Sequence, residues 1–470
     1  MKRILVLLVL GITFSSSAQQ MALKKGVVID GIKVNDSLPE SYALFLPSNF
    51  DTSKKWPVVF IFDMDGRGKQ VTGMFSRAGE QQGYILAASN NLRDSLSISQ
   101  NVLIANRMFR SLLSLLPIAE KRIYMAGFSS GAQLASLIPT FIKGVGGVIS
   151  CGATIANMDV LSSKNPFHYI GIVGDEDYNY QNMLNAAQFL DKLKFPNQLL
   201  IFEGGHEWPT TDYLSKAMEY LTVSAMGKGS VPKDKTFIDE SFDRNLGDVS
   251  ALITSNKPLR ANHALEELME LYKPHKSIDS LKDSGKTLRK SKLFKTQNRN
   301  QNTIFFKENL IKDDYSYYLE EDILTYNYNN LGWWNYQMEE LKKYDRSSNL
   351  FERKMGKRLK GYLNALIADN IDMLRAEEVI DEEALNFLWM LKTITDPADY
   401  SFYLKIISYS AKNEDYGTSL FYLEELFKNG YTDKNELYAL EGTALLRITP
   451  EFNTIVEKYL KSARYDILEE

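Results

Sequence analysis

The chain has 470 residues, 44% hydrophobic and 24% charged, an ordinary globular composition that argues against disorder, collagen, coiled coil and a multi-pass membrane protein. With 55 Lys and Arg against 59 Asp and Glu the formal net charge is −4, so no basic field exists to condense on phosphates, and nucleic acid is not expected as a partner. A single cysteine, Cys151, rules out an intramolecular disulfide and any multi-cysteine zinc or iron–sulfur site, and four histidines leave little for a metal centre.

Met1-Lys2-Arg3, the apolar run Ile4 to Phe14 and the small residues Ser16-Ser17-Ala18 have the order of a secretory signal peptide cut before Gln19. The run is too short to span a bilayer and no cysteine follows it to take a lipid. Residues 1–18 are therefore expected to be removed, leaving a periplasmic or secreted chain with no membrane span.

From there to residue 226, short β-branched or aromatic runs alternate with turns and helical stretches, the signature of βα units around a mainly parallel sheet. Strands are expected at Tyr42–Leu46, Val58–Phe62, Tyr84–Ala87, Arg122–Ala126, Gly147–Ser150, Tyr169–Val173 and Gln198–Phe202, with a final helix at Thr211–Thr222. Of 28 glycines, 18 precede residue 227, where the texture changes. The polar, Gly- and Pro-bearing segment 227–236 reads as a linker between residues 19–226 and a helical region, 237–470.

In that region apolar residues recur at helical spacing, as at Leu265, Leu268 and Leu271 or Leu420, Leu423 and Phe427. Asp396-Pro397 is expected to open a helix and Asn429-Gly430 to stop one. The stretch 416–452 resembles the closing repeat of a tetratricopeptide array, with Ser419 at the small-residue position, so helical hairpins and a protein partner on them are expected. Trp333-Trp334 is read as core packing. The seven basic residues between Lys282 and Arg299, opposed only by Asp283, are read as a solvated face.

Gly127-Phe128-Ser129-Ser130-Gly131 matches G-x-S-x-G between an expected strand and an expected helix, the context of a nucleophile elbow. A serine hydroxyl needs an imidazole to take its proton and a carboxylate to hold that imidazole in the right tautomer. Both follow in order at strand ends: Asp177, in Gly174-Asp175-Glu176-Asp177, lies 48 residues after Ser129, and His206, in Gly204-Gly205-His206, lies 29 further on.

With Tyr42-Ala43-Leu44-Phe45-Leu46-Pro47, these motifs make residues 40–225 resemble the α/β-hydrolase superfamily, in its branch of compact secreted feruloyl esterases, polyhydroxybutyrate depolymerases and dienelactone hydrolases. The resemblance implies a doubly wound α/β-hydrolase sheet ahead of the all-α region, with Ser129 as nucleophile, Asp177 as orienting acid and His206 as general base, and with Asp175 as the alternative acid. It also implies an oxyanion hole from the backbone N–H of Ser130 and one near Gly66 or Arg67, and no cofactor. Where such esterases carry His-Gly after the oxyanion strand, this chain carries Asp63-Met64-Asp65-Gly66-Arg67, and a carboxylate there is tolerable only if it points away or pairs with Arg67. The implied substrate is a small-molecule or polysaccharide-linked ester. A catalytically idle fold serving as a binding module is the rival expectation, and the chemistry is expected to be self-contained in a chain ending near Lys228.

Overall fold

The computed structural model describes residues 24–35, 37–161 and 166–464; the expected signal peptide lies outside the described residues. Eight strands form one sheet: Val28–Lys33 (β1), Ser41–Phe45 (β2), Trp56–Phe62 (β3), Ile85–Ser89 (β4), Ile118–Phe128 (β5), Val145–Cys151 (β6), His168–Gly174 (β7) and Asn197–Phe202 (β8). Their order is β1-β2-β4-β3-β5-β6-β7-β8, antiparallel across β1, β2 and β4 and parallel from β4 to β8.

Strands β3, β4, β7 and β8 are buried along their whole length, which is why they read as unbroken apolar runs. All seven expected strands are present, with boundaries moved by a few residues. The eighth, β1, escaped because it is a largely exposed edge interrupted by Gly31, whose φ is +70° at a register shift.

The sheet is covered by Gly68–Gln82 (α1), Ile98–Leu115 (α2), Ser130–Phe141 (α3), Tyr180–Lys192 (α4) and Thr211–Gly227 (α5). Then follow Lys235–Thr254 (α6), Pro258–Tyr272 (α7) and Asp279–Lys290 (α8). The remainder is Lys292–Thr325 (α9), Leu331–Asp345 (α10), Leu350–Arg375 (α11), Glu382–Thr395 (α12), Tyr400–Lys412 (α13), Tyr416–Lys428 (α14), Lys434–Ala439 (α15), Ala444–Arg447 (α16) and Pro450–Leu460 (α17). This is the doubly wound α/β sheet followed by an all-α region that the sequence implies.

The expected break at 227–236 is different in kind. The segment is a chain connection, but the core does not divide there: Ile238, Phe242 and Val249 of α6, Leu265, Leu268 and Leu271 of α7 and Leu281 of α8 belong to the same buried cluster as Ile170 of β7 and Leu214 and Leu221 of α5. The sequence shows polar residues at the connection but cannot show that the helices beyond it return to the sheet. Two further cores belong to the helices alone, one joining α9 to α12 and one joining α12 to α17.

Asn429 and Gly430 do end α14, Gly430 at φ +96°. Asp396 does not open a helix: it closes α12, and Asp399 caps α13 by accepting from the Ser401 N–H. Trp334 is fully buried, its indole N–H donating to Asp322 Oδ2 at 2.8 Å, as core packing requires. Of the basic stretch, Lys282, Lys286 and Arg289 each pair with a nearby acid, Asp279, Asp283 and Glu266.

Candidate active site

At the carboxyl end of β5 the chain turns straight into α3. Ser129 occupies the corner at φ 52°, ψ −124°, a strained conformation for a residue with a Cβ. Both flanking glycines are there for space. A Cβ on Gly127 would lie 2.3 Å from the Gly131 carbonyl oxygen, and one on Gly131 would lie 2.3 Å from the Phe62 carbonyl oxygen. Strand and helix therefore close to contact, and the serine side chain is pushed out of the turn.

The loop after β7 and the loop after β8 are zipped together by backbone. The N–H of Asp175 donates to Phe202 O at 3.0 Å and that of Glu176 to Gly204 O at 2.9 Å. Gly174 permits this approach, since a Cβ there would sit 2.2 Å from the Gly204 carbonyl oxygen. The pairing delivers the acid to the imidazole: His206 Nδ1 lies 3.0 Å from Asp177 Oδ2, and His206 Nε2 lies 3.0 Å from Ser129 Oγ. Asp177 is buried, and its Oδ1 accepts the Asn179 N–H at 2.8 Å, so an Nδ1–H donated to Oδ2 leaves Nε2 free to accept from the serine. Ser129, Asp177 and His206 are brought together. Asp175 is not: its carboxylate is paired with Lys354 of α11.

The imidazole is held between two rings, Phe128 at 4.7 Å and Tyr178 at 4.5 Å between centroids, each tilted by 40°. The Tyr178 hydroxyl also lies 3.3 Å from Nε2, on the same nitrogen that faces the serine. Burial, with Asp177 and Asp369 nearby, pushes this hydroxyl up to about 12, so it remains a proton-bearing donor at neutral pH. Tyr178 carried no signal in the sequence beyond following Asp177. Gly152, at φ +69°, keeps the floor clear, since a Cβ there would come within 3.2 Å of the imidazole.

Ser130 opens α3, where the first N–H groups of a helix have no intrahelical partner. The N–H groups of Gly66 and Arg67 are already spent inside their own turn, on Asp63 O and on Asp63 Oδ2, both at 3.0 Å. Among the described residues, the N–H groups of this turn not engaged in such bonds are those of Met64 and Asp65. The Arg67 guanidinium grips Asp63 through two bonds, 3.0 and 2.8 Å, and reaches Asp65 at 2.8 Å, so the exposed Asp65 carboxylate is paired with Arg67 where the sequence left its placement open. Burial pushes the Asp63 carboxyl up, but the hydrogen bonds from Arg67 outweigh it and hold the group below the ordinary range.

The other histidines do different work. His168, buried against Gln198, is pushed down to about 3 by burial and stays neutral. His263 and His275 bond the carbonyls of Leu199 and Val223. Cys151 ends β6, fully buried, and burial pushes its thiol up and out of reactive range.

No protein-family model matches the chain, and no curated protein does. Solved structures similar to part of it include the S-formylglutathione hydrolase FrmB of Staphylococcus aureus, with 10% identity, 42% of this chain and 95% of that one covered, and TM-score 0.34. Est1E of Butyrivibrio proteoclasticus has 11% identity, 43% and 99% covered, and TM-score 0.34. The feruloyl esterase module of Clostridium thermocellum has 14% identity, 41% and 86% covered, and TM-score 0.34.

Proposed function

We propose that the chain is a serine hydrolase that cleaves carboxylic esters through an acyl-enzyme and works in the periplasm or outside the cell after loss of residues 1–18. The observation that carries this reading is the unbroken relay of 3.0 Å contacts from Asp177 through His206 to Ser129, on a serine held at φ 52° between strand and helix. Ser129 Oγ attacks the ester carbonyl while Nε2 takes its proton. The tetrahedral oxygen gathers charge opposite the Ser130 N–H and an N–H of Met64 or Asp65, and the alcohol leaves with the proton held on Nε2. Water then repeats the sequence on the acyl-enzyme. The substrate is a small-molecule or polysaccharide-linked ester.

The rival, an idle fold used for binding, would tolerate loss of any triad contact, and here each contact is present at hydrogen-bonding distance. The test is labelling with a fluorophosphonate probe, then hydrolysis of short acyl and hydroxycinnamoyl aryl esters. Stoichiometric labelling that disappears in Ser129→Ala, with turnover lost by several orders of magnitude in Ser129→Ala and His206→Ala, is the expected outcome. A Ser129→Ala protein keeping more than about a tenth of turnover removes the reading.

A further inference from the structure

We propose that the helical region is part of the catalytic machinery in one defined sense: Arg358, with Glu308 and Lys312, is a positioning residue that holds the 174–178 loop and thereby sets Asp177 against His206. The proposal rests on the serine-hydrolase reading above.

Seven charged side chains from both halves of the chain meet at that loop: Arg358, Glu308, Lys312, Lys354 and Lys357 from the helices, and Asp175 and Glu176 from the loop itself. Arg358 of α11 is buried and forks onto Glu308 of α9, itself fully buried, with bonds of 3.0 and 2.6 Å to Oε2 and 3.1 Å to Oε1. Its remaining Nη1 donates to the Asp175 carbonyl oxygen at 2.8 Å. The guanidinium lies 5.6 Å from the Tyr180 ring centroid and 5.5 Å from that of Phe305, so it is wedged between the helix that follows the loop and α9. Lys312 pairs with Glu308 at 3.0 Å and donates to the Tyr178 carbonyl oxygen at 3.2 Å. Lys354 pairs with the Asp175 carboxylate, and Lys357 with Glu176 at 2.8 Å.

Two main-chain carbonyls are therefore held from outside the sheet, at Asp175 and at Tyr178, and Asp177 lies between them. The helix also comes close to the loop: a Cβ on Gly361 of α11 would lie 3.3 Å from the Tyr178 ring that packs on His206. The buried trio Arg358, Glu308 and Lys312, each with its partners in place, has one low-energy arrangement, because a member left unpaired in the interior is costly. Placing such a cluster on the acid loop converts the rigidity of α9 and α11 into a fixed position for the carboxylate. Catalysis is steep in that position, since a displacement of about 1 Å can cost on the order of a hundredfold.

The test uses the full chain. Arg358→Met is expected to lower both kcat and the second-order rate of fluorophosphonate labelling by about 10–100-fold, with KM for a small aryl acetate within about twofold of wild type. Arg358→Lys is expected not to rescue it, because one ammonium cannot supply both the fork to Glu308 and the separate N–H to Asp175. Leu423→Ala, in the distal helical core, serves as a variant of comparable thermal destabilisation that keeps wild-type kcat.

Amide hydrogen exchange of the peptide covering 174–178 supplies a readout independent of turnover, with acceleration expected in Arg358→Met while the peptides of β5 and β6 stay unchanged. If Arg358→Met does not fold, Lys312→Met is judged by the same measurements. A folded clamp variant with wild-type kcat and wild-type loop exchange, or one that loses no more kcat than Leu423→Ala, overturns the proposal. A wild-type protein inert to fluorophosphonate removes the hydrolase reading instead, and loop exchange then decides the clamp on its own.

Discussion

Substituting the two neighbouring carboxylates separately should split catalysis from stability. In Asp177→Asn the Asn179 N–H, which now donates to Oδ1 at 2.8 Å, keeps the carboxamide oxygen on its own side. The new NH2 group must then face His206 Nδ1, where the present contact to Oδ2 is 3.0 Å. Two donors cannot share that line, so the imidazole is forced into the tautomer that carries its proton on Nε2 and cannot accept from Ser129. The equivalent exchange in serine proteases lowers kcat about 10⁴-fold, or about 5.5 kcal/mol in the barrier, with geometry retained. Asp175→Asn instead breaks the pair with Lys354, whose side chains are 5% and 16% exposed, and leaves the Arg358 bond intact because that bond ends on the main-chain carbonyl. Breaking a fully buried pair costs about 3–5 kcal/mol; here Lys354 reaches some water, so roughly 2–3 kcal/mol and a fall of several degrees in Tm are expected, with kcat within about tenfold of wild type. Steady-state hydrolysis of an aryl acetate together with calorimetry separates the two. The reasoning is refuted if Asp175→Asn costs more turnover than Asp177→Asn, or if Asp177→Asn keeps more than about 1% of it.

Three other outcomes follow from the packing. A chain ending after Lys228 should be insoluble or non-cooperative, because it strips Ile238, Phe242, Leu265, Leu268 and Leu271 from the sheet's own core, each worth about 1.5–3 kcal/mol when buried; a monomeric fragment with one sharp melting transition and full labelling by fluorophosphonate contradicts this. Gly131→Ala should abolish labelling or soluble expression, since its Cβ meets the Phe62 carbonyl at 2.3 Å, whereas Gly73→Ala, with nothing within 4 Å, should be neutral or stabilising by up to ~1 kcal/mol; equal behaviour of the two would deny the close approach. Glu267 lies 3.5 Å from His263, and burial, with Asp191, Glu266 and Glu270 nearby, pushes its carboxyl well above the usual range. The unfolded chain ionises this group above a pH of about 4.3 while the folded chain releases the proton only at higher pH, so its contribution to stability falls as pH rises from there. Glu267→Gln should therefore raise Tm by ~2–4 °C at pH 8 and by less at pH 4, and melting curves showing the same gain at both pH values would exclude the effect.

Strand positions, the elbow and the order of Ser129, Asp177 and His206 were legible in the sequence because each rests on local chemistry. An apolar run buried on both faces, a turn that admits only glycine two residues either side of the serine, and polar residues leaving strand ends are all written in consecutive residues. What lay beyond local reading was decided by which groups the fold brings together. Asp175 and Asp177 are equivalent by spacing, and only the backbone pairing of the two loops turns one to His206 and the other to Lys354. The Gly66 and Arg67 N–H groups look available in sequence and are consumed by Asp63, three and four residues back, through its main-chain carbonyl and its carboxylate. The segment 227–236 has a linker's composition, yet the helices after it complete the core before it, since hydrophobic burial depends on area removed from water and not on position along the chain. Arg358, 181 residues after Asp177, has no pattern to announce it, because a salt-bridge partner is chosen by the packing of α9 and α11 against the sheet, and that packing exists only once the whole chain has folded.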